Sequence, residues 1–230
     1  MIGLRISLSG VQAGLRRLDV AADNVANSTT PGFKRSRVHQ SDLRPGGTSV
    51  DSVRVHYSAG PLEIDDGRFS LAMEGDGFFR VSTPQGDRFT RAGAFHIDAS
   101  GHVVTSDGFP LQPGFSVPSD SVAVSVSPEG AVSARLANGQ TQSLGTIEIA
   151  RFANPGGLTR EGASLVAESA ASGPPLPGES RIVFGAVEGS NVDLADEMVS
   201  LIVSRASVQA NLAALRTQDE LLGEIVDLRG

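Results

Sequence analysis

The chain has no cysteine and no tryptophan, and Tyr57 is its only tyrosine. The missing cysteine excludes a disulfide framework, a thiol nucleophile, a cysteine-ligated zinc site and an iron–sulfur cluster. No uninterrupted apolar run reaches the roughly 18 residues of a membrane-spanning helix, so none is expected to cross a membrane in that form. Nor does the N-terminus show a basic stretch, an apolar core and a small-residue cleavage site, so no cleaved secretory signal is expected. Positive charge is the scarcer sign. Nineteen Lys and Arg face 26 Asp and Glu, a net charge of −7, which argues against a nucleic-acid partner. Glycine (27) and proline (12) are plentiful and favour turns and short strands over a helical bundle. At 230 residues the chain has room for one domain of ordinary size plus appendages.

The chain ends read differently from its middle. In residues 2–27, Leu4, Leu8, Val11, Leu15, Leu18, Ala22 and Val25 step alternately by four and three, a heptad seam on one long helix. Pro31 and Gly32 end it, because proline cannot continue the hydrogen-bond ladder. In residues 191–229, Leu194, Met198, Leu201, Val208, Leu212, Leu215, Leu222 and Val226 keep the same rhythm, interrupted at Arg205 and Asp219. Ser190-Asn191-Val192-Asp193 predicts a capping box, with Asp193 reaching back to the cap amide. Asp193, Asp196 and Glu197 suit the positive end of that helix dipole.

Between the helices, residues 69–187 read as about ten short strands. Turn chemistry separates them at Gln85-Gly86-Asp87, Ser100-Gly101, Asp107-Gly108, Pro128-Glu129-Gly130, Asn138-Gly139 and Asn154-Pro155-Gly156-Gly157. Residues 34–66 read as a polar, glycine-rich extended connector, and Gly173–Gly178 as a stiff surface loop. The predicted class is α+β: long N- and C-terminal helices pairing as a coiled-coil-like stalk, with one central all-β domain. The predicted boundaries are 1–33, 34–66, 67–188 and 189–230. A two-helix hairpin covers only part of each apolar seam, so the rest is expected to meet copies of the chain or a partner. The ends are then loose in a free monomer and ordered on assembly.

Chemistry-bearing motifs are few. Gly75-x-Gly77 lacks the third glycine of a dinucleotide fingerprint, and strand-like Phe78-Phe79-Arg80 follows where a helix should start. His96 and His102 fall on neighbouring predicted strands, with Asp98 as the sole third ligand nearby, so no metal site is expected. Asp65-Asp66-Gly67 lacks the spaced carboxylates of a calcium loop. No Gly-x-Ser-x-Gly elbow is present, and no Ser/His/Asp set can be assigned, so neither catalytic residues nor a cofactor is expected. Asn27-Ser28-Thr29 fits a glycosylation acceptor, but Asn27 is better read as bonding exposed backbone groups where the first helix ends. Arg5, Arg16 and Arg17 make the first helix basic. Residues 192–230 carry three basic and seven acidic side chains, so ion pairing between the helices is the simpler reading than membrane-surface binding.

Asp23-Asn24-Val25-Ala26-Asn27-Ser28-Thr29-Thr30-Pro31-Gly32-Phe33-Lys34-Arg35 resembles the signature of the flagellar rod and hook proteins. Its family-motif positions are Asn24, Asn27, Thr30, Gly32 and Phe33. Gly75-Asp76-Gly77-Phe78-Phe79 and Phe89-Thr90-Arg91-Ala92-Gly93-Ala94-Phe95 resemble that family's central β-domain, as does Ile149–Leu158. Ser190-Asn191-Val192-Asp193-Leu194, with Gln209-Ala210-Asn211 further on, resembles its C-terminal domain. Four such stretches in the right order are specific.

The resemblance implies a non-enzymatic structural subunit of the bacterial flagellar basal body. Its expected partners are copies of itself, homologous rod and hook proteins and the flagellar export apparatus, with no nucleic acid and no small-molecule substrate. It implies a hollow, torque-transmitting tube in the periplasm-spanning rod, conducting later subunits, and export without a cleaved signal peptide. Gln12, Gln209, Asn211 and Gln218 are then expected on the channel side, away from the leucines. A single β-module fits a rod protein better than a hook protein, and the short connector leans towards a proximal-rod type. A hook subunit is the first alternative. An adhesive or carbohydrate-binding β-domain with oligomerising helices is the second.

Overall fold

The computed structural model describes residues 2–67, 69–162 and 164–227, and their side chains except those of residues 2, 222 and 224–227. Helix α1 spans Ile2–Ala26 and is followed by strands β1 (Ser36–Asp42) and β2 (Thr48–Val55). The middle of the chain runs β3 (Leu62–Ile64), β4 (Phe69–Glu74), β5 (Phe78–Thr83), β6 (Gly86–Thr90), β7 (Ala94–Ile97), β8 (Val103–Val104), β9 (Ser121–Val126), β10 (Ala131–Leu136) and β11 (Thr141–Thr146). It continues through β12 (Ile149–Arg151), β13 (Thr159–Arg160), β14 (Leu165–Ala167), β15 (Leu176–Gly178), β16 (Arg181–Phe184) and β17 (Ala186–Glu188). Helix α2 (Leu194–Asp227) follows.

The chain forms two compact units. One takes in residues 1–28, 35–56 and 192–230, and the other residues 29–34 and 57–191. The first therefore holds both helices and the β1–β2 hairpin. The sequence reads residues 34–66 as an extended connector, whereas the structure pairs β1 with β2 antiparallel, Val38 opposite Val53, with a register shift at His39/Gln40. Pro45-Gly46-Gly47 supplies the reversal, Gly47 at φ 106°.

The second unit is β-rich but not one continuous sheet. Its strands form a six-stranded sheet in the order β13-β14-β6-β5-β12-β15, a four-stranded sheet β16-β4-β7-β8, a three-stranded sheet β11-β10-β9 and the pair β17-β3. The pleat of β5 distributes the core, because successive side chains point to opposite faces. Phe79 and Val81 enter the larger apolar cluster with Phe69, Leu71, Leu111, Val132 and Ile182. Phe78 turns the other way into a smaller cluster with Phe89, Phe152, Leu158 and Val166, against which Tyr57 packs. Edge-to-face rings tie the smaller cluster together, Phe89–Phe152 at 4.8 Å and Tyr57–Phe78 at 5.3 Å between centroids.

The α+β class stands, but the coiled-coil-like stalk and the single all-β domain do not. The helices pack through a different row of residues from the leucine seam, and the middle divides into several sheets. The helix cap also differs from the predicted box. α2 starts at Leu194, and Asp193 is itself the cap, its Oδ1 accepting from the Ala195 and Asp196 amides at 2.9 and 3.2 Å. The expectation that nothing could cross a membrane needs correcting too. Leu194–Leu221 is long and apolar enough by composition, at mean hydropathy 1.3, because alanine and serine dilute its charges without breaking the pattern. Only 11% of that stretch is buried.

Candidate functional site

The helix pair comes first. A Cβ built on Gly3 would lie 2.9 Å from Gln218 Nε2, one on Gly10 2.6 Å from Asn211 Oδ1, and one on Gly14 2.5 Å from Val208 Cγ2. Seven residues forward on α1 thus match seven back on α2, which makes the pair antiparallel. The α1 contact row is Gly3, Ser7, Gly10, Gly14, Arg17, Ala21 and Asn24. Ser7, Ala21 and Asn24 are buried, and Arg17 Nη2 donates to Ser207 Oγ at 3.2 Å. Opposite them on α2 lie buried Glu197, Ser204 and Val208, with Asn211 and Gln218 half-buried. Small residues allow the two backbones to approach, and amide side chains fill the space above the glycines.

The predicted leucine row trails this contact row by one residue, so it is turned away by about 100°. Leu4, Leu8 and Leu15 are 38–48% exposed, Leu18 and Val25 are half-buried, and Val11 is buried. On α2, Leu194, Met198 and Leu212 are exposed, Leu201 and Leu215 half-buried, and Val208 buried against Gly14. The side chains of Leu222 and Val226 lie outside the described residues. In an antiparallel pair, rows turned in the same rotational sense emerge on the same flank. The leucines of both helices therefore share one open face. The hairpin takes the opposite flank of α1, where Gly46 meets Ile6, the Thr48 amide donates to Ser9 Oγ at 3.1 Å, and Gln40 Nε2 donates to the Ala13 carbonyl at 3.4 Å. Gln12 and Gln209 are exposed, but Asn211 and Gln218 face the α1 glycines instead of a channel.

The family-motif residues build the junctions. Asn24, 1% exposed, binds Ser36 both ways: its Nδ2 donates to the Ser36 carbonyl and its Oδ1 accepts from the Ser36 amide, each at 2.9 Å. Asn27 Nδ2 donates to the Asp23 carbonyl at 2.9 Å, satisfying a group that the ending helix leaves open. In the β-rich unit, the Phe33 amide donates to the Thr30 carbonyl at 3.2 Å. Gly32 sits at φ 70°, and a Cβ there would lie 2.3 Å from the Ala92 backbone nitrogen, so only glycine fits.

Beside Gly32 lies a feature that no sequence pattern announced. Glu188, fully buried, accepts from Lys34 Nζ at 2.5 Å, Arg91 Nη1 at 3.2 Å and the Gly60 amide at 2.9 Å. Lys34 Nζ also donates to the Ser58 carbonyl at 2.8 Å, and Arg91 Nη2 to the Gly75 carbonyl at 2.7 Å. Burial holds the Lys34 ammonium below its usual range, with Glu188 opposing the shift and Arg91 adding to it. The Gly32 amide donates to the Glu188 carbonyl at 2.6 Å, and Asn191 Nδ2 to the Ser58 carbonyl at 3.0 Å. Arg160 stacks over Phe33 at 4.7 Å and donates to the Lys34 carbonyl at 2.9 Å. The segments at residues 32–34, 58–60 and 188–191 are thereby bound to one another at one place in the unit. Their partners stand 154 and 97 residues apart in sequence, beyond any local signal.

The remaining motifs are structural. Gly77, at φ 150°, turns the chain into β5, and a Cβ there would lie 2.4 Å from Ile149. Asp98 closes a turn, accepting from the Ser100 and His102 amides at 2.8 Å, with His102 Nδ1 3.7 Å from its carboxylate. Among the described residues, no group of three or more His, Asp or Glu could hold a metal ion.

Helices at both chain ends with open apolar faces, and a β-rich middle bound to a glycine-dependent junction, describe an assembling structural subunit. Three family models match in sequence: the flagella basal body rod protein at residues 4–34, the flagellar hook protein FlgE/F/G D1 domain at 72–134, and the flagellar basal body rod FlgEFG protein C-terminal at 184–228. The chain belongs to the flagellar basal-body rod protein family and is a structural subunit of the bacterial flagellar rod. It is 35% identical to the flagellar basal-body rod protein FlgG of Bacillus subtilis, over 96% of this chain and 97% of that one. It is 31% identical to FlgG of Caulobacter vibrioides over the whole of both; that alignment has 261 positions, 31 more than the 230 residues here. The flagellar hook protein FlgE of Escherichia coli matches at 38%, but over only 49% of this chain and 29% of its own.

Proposed function

We propose that copies of this chain, with homologous axial proteins, associate through the open leucine flank of the helix pair into a hollow rod that transmits torque and conducts exported subunits. Leu4, Leu8, Leu15, Leu194, Met198 and Leu212 are the contact side chains. Their exposure in the single chain is the observation that carries the reading, because exposed apolar rows on both helices are stabilised by being covered. The role is non-enzymatic, with no cofactor and no small-molecule substrate. Delivery runs through the flagellar export apparatus, without removal of a signal peptide. Full-length similarity to rod proteins supports a rod subunit, whereas the hook protein matches half the chain.

Leu212→Asp tests the contact face. Leu212 is 40% exposed, so the carboxylate stays hydrated in the free subunit, which folds as before by circular dichroism and Tyr57 fluorescence. In the rod the same carboxylate is buried unpaired, and assembly fails. The variant is therefore expected to be absent from isolated basal bodies and its cells not to swim. Normal incorporation would refute the contact face.

A further inference from the structure

On the side of α1 away from α2, the helix and the hairpin turn enclose a groove of about 410 Å³, with Ile6, Leu8, Leu43 and Pro45 on its walls and Arg5 and Arg44 among its lining. Neither arginine makes an ion pair among the described residues. On the far side of α2 the pattern is reversed. Leu221 is 54% exposed, and Asp219 and Glu220 beside it are exposed, again without an ion pair among the described residues. The antiparallel register that sets Gly3 against Gln218 puts Arg5 level with Arg216, so groove and acidic turn lie near the same end of the pair. They point in opposite directions. Each matches the other in chemistry, and two adjacent copies can bring them together.

We propose that this groove receives the Asp219–Leu221 turn of α2 from a second copy of this chain. The inference deepens the self-association reading and rests on it. Leu221 of the second copy enters among Ile6, Leu43 and Pro45, and Asp219 and Glu220 meet Arg5 and Arg44. Placing Glu220 rather than Arg216 opposite Arg5 shifts the neighbour by four residues, about 6 Å along the helix axis. The same shift brings Asp19 of one copy opposite Arg205 of the other, within one residue. One displacement thus satisfies two separate charge pairs, which fixes register. A groove on one side and its occupant on the other make a heterologous contact, which repeats from copy to copy and builds a ring or a helix instead of a closed dimer.

The chain has no cysteine, so single introduced thiols report the contact directly. Cells make two versions of the full chain together, Leu43→Cys and Leu221→Cys, and their basal bodies are isolated and oxidised. The mixed disulfide dimer is expected in about tenfold excess over a homodimer of either version, since only that pairing brings the two thiols within bonding distance. Both versions present in the basal bodies without a mixed dimer would overturn the groove contact and leave the rod reading standing. Absence of the unsubstituted chain from basal bodies would overturn the rod reading instead. A second arm covers loss of assembly by the cysteine variants. Glu220→Arg is expected to lower incorporation about tenfold, and adding Arg5→Glu and Arg44→Glu to the same chain to restore it. Normal incorporation of Glu220→Arg, or no restoration, would overturn the inference.

Discussion

Glu188→Gln removes one negative charge from the β-rich unit and changes almost nothing else in size. Lys34 and Arg91, each 3% exposed at the side chain, then share a buried site with no anion. Removing one partner of a buried pair costs about 3–5 kcal/mol, because the remaining charge has lost its compensation and cannot reach water. The amide retains an oxygen acceptor for the Gly60 amide, so the loss is mainly electrostatic. At a urea dependence of about 2 kcal/mol/M, the unfolding midpoint falls by roughly 2 M. Tyr57 makes the measurement specific. It is the only tyrosine in a chain without tryptophan, and it packs on Phe78 next to Ser58, which Lys34 contacts. Its fluorescence follows the β-rich unit alone. Adding Lys34→Met to Glu188→Gln removes one stranded cation and recovers part of the loss. A penalty below about 1 kcal/mol, or no recovery in the double variant, would show that water reaches these cations and would remove the cluster as the lock of that junction.

Two glycines offer further tests. Gly32→Ala forces a Cβ to within 2.3 Å of the Ala92 backbone, so the β-rich unit is expected to lose more than about 4 kcal/mol. Gly108 has a similar φ of 84° but open space around it, and Gly108→Ala is expected to cost only about 1–2 kcal/mol in the same urea titration. In the helix pair, Gly10→Ala meets Asn211 at 2.6 Å and is expected to cost about 1–3 kcal/mol of helix stability, followed by circular dichroism at 222 nm. Asn211→Ala in the same chain relieves the clash, so a double variant no more stable than Gly10→Ala would contradict the glycine-row packing.

Much of the architecture was legible in residue order because its causes are local. A four–three rhythm specifies a helix wherever it occurs, and the turns at Gly86, Gly101, Gly130 and Gly139 adopt positive φ as their sequences lead one to expect. The phase of helix packing was not legible. Leu4, Leu8, Leu15 and Gly3, Gly10, Gly14 are adjacent rows with the same period, and hydrophobicity favours the leucines for burial. The structure chooses the glycines, because close approach of two backbones needs the smallest side chains. The hairpin at residues 36–55 was obscured by its polar residues: Arg37, His39 and Asp42 weaken the apolar alternation that marks a strand.

The sequence by itself determined that both ends are helical, that the middle is built of short strands, and which family the four motifs belong to. These follow from periodicity, turn chemistry and fixed spacing, which act over a few residues. Only the tertiary structure decided that the leucines face outward on a common flank and that Lys34, Arg91 and Glu188 meet in a buried cluster. Which surface is left open, and which distant charges share it, depends on how elements pack in space, and chain order does not encode that locally.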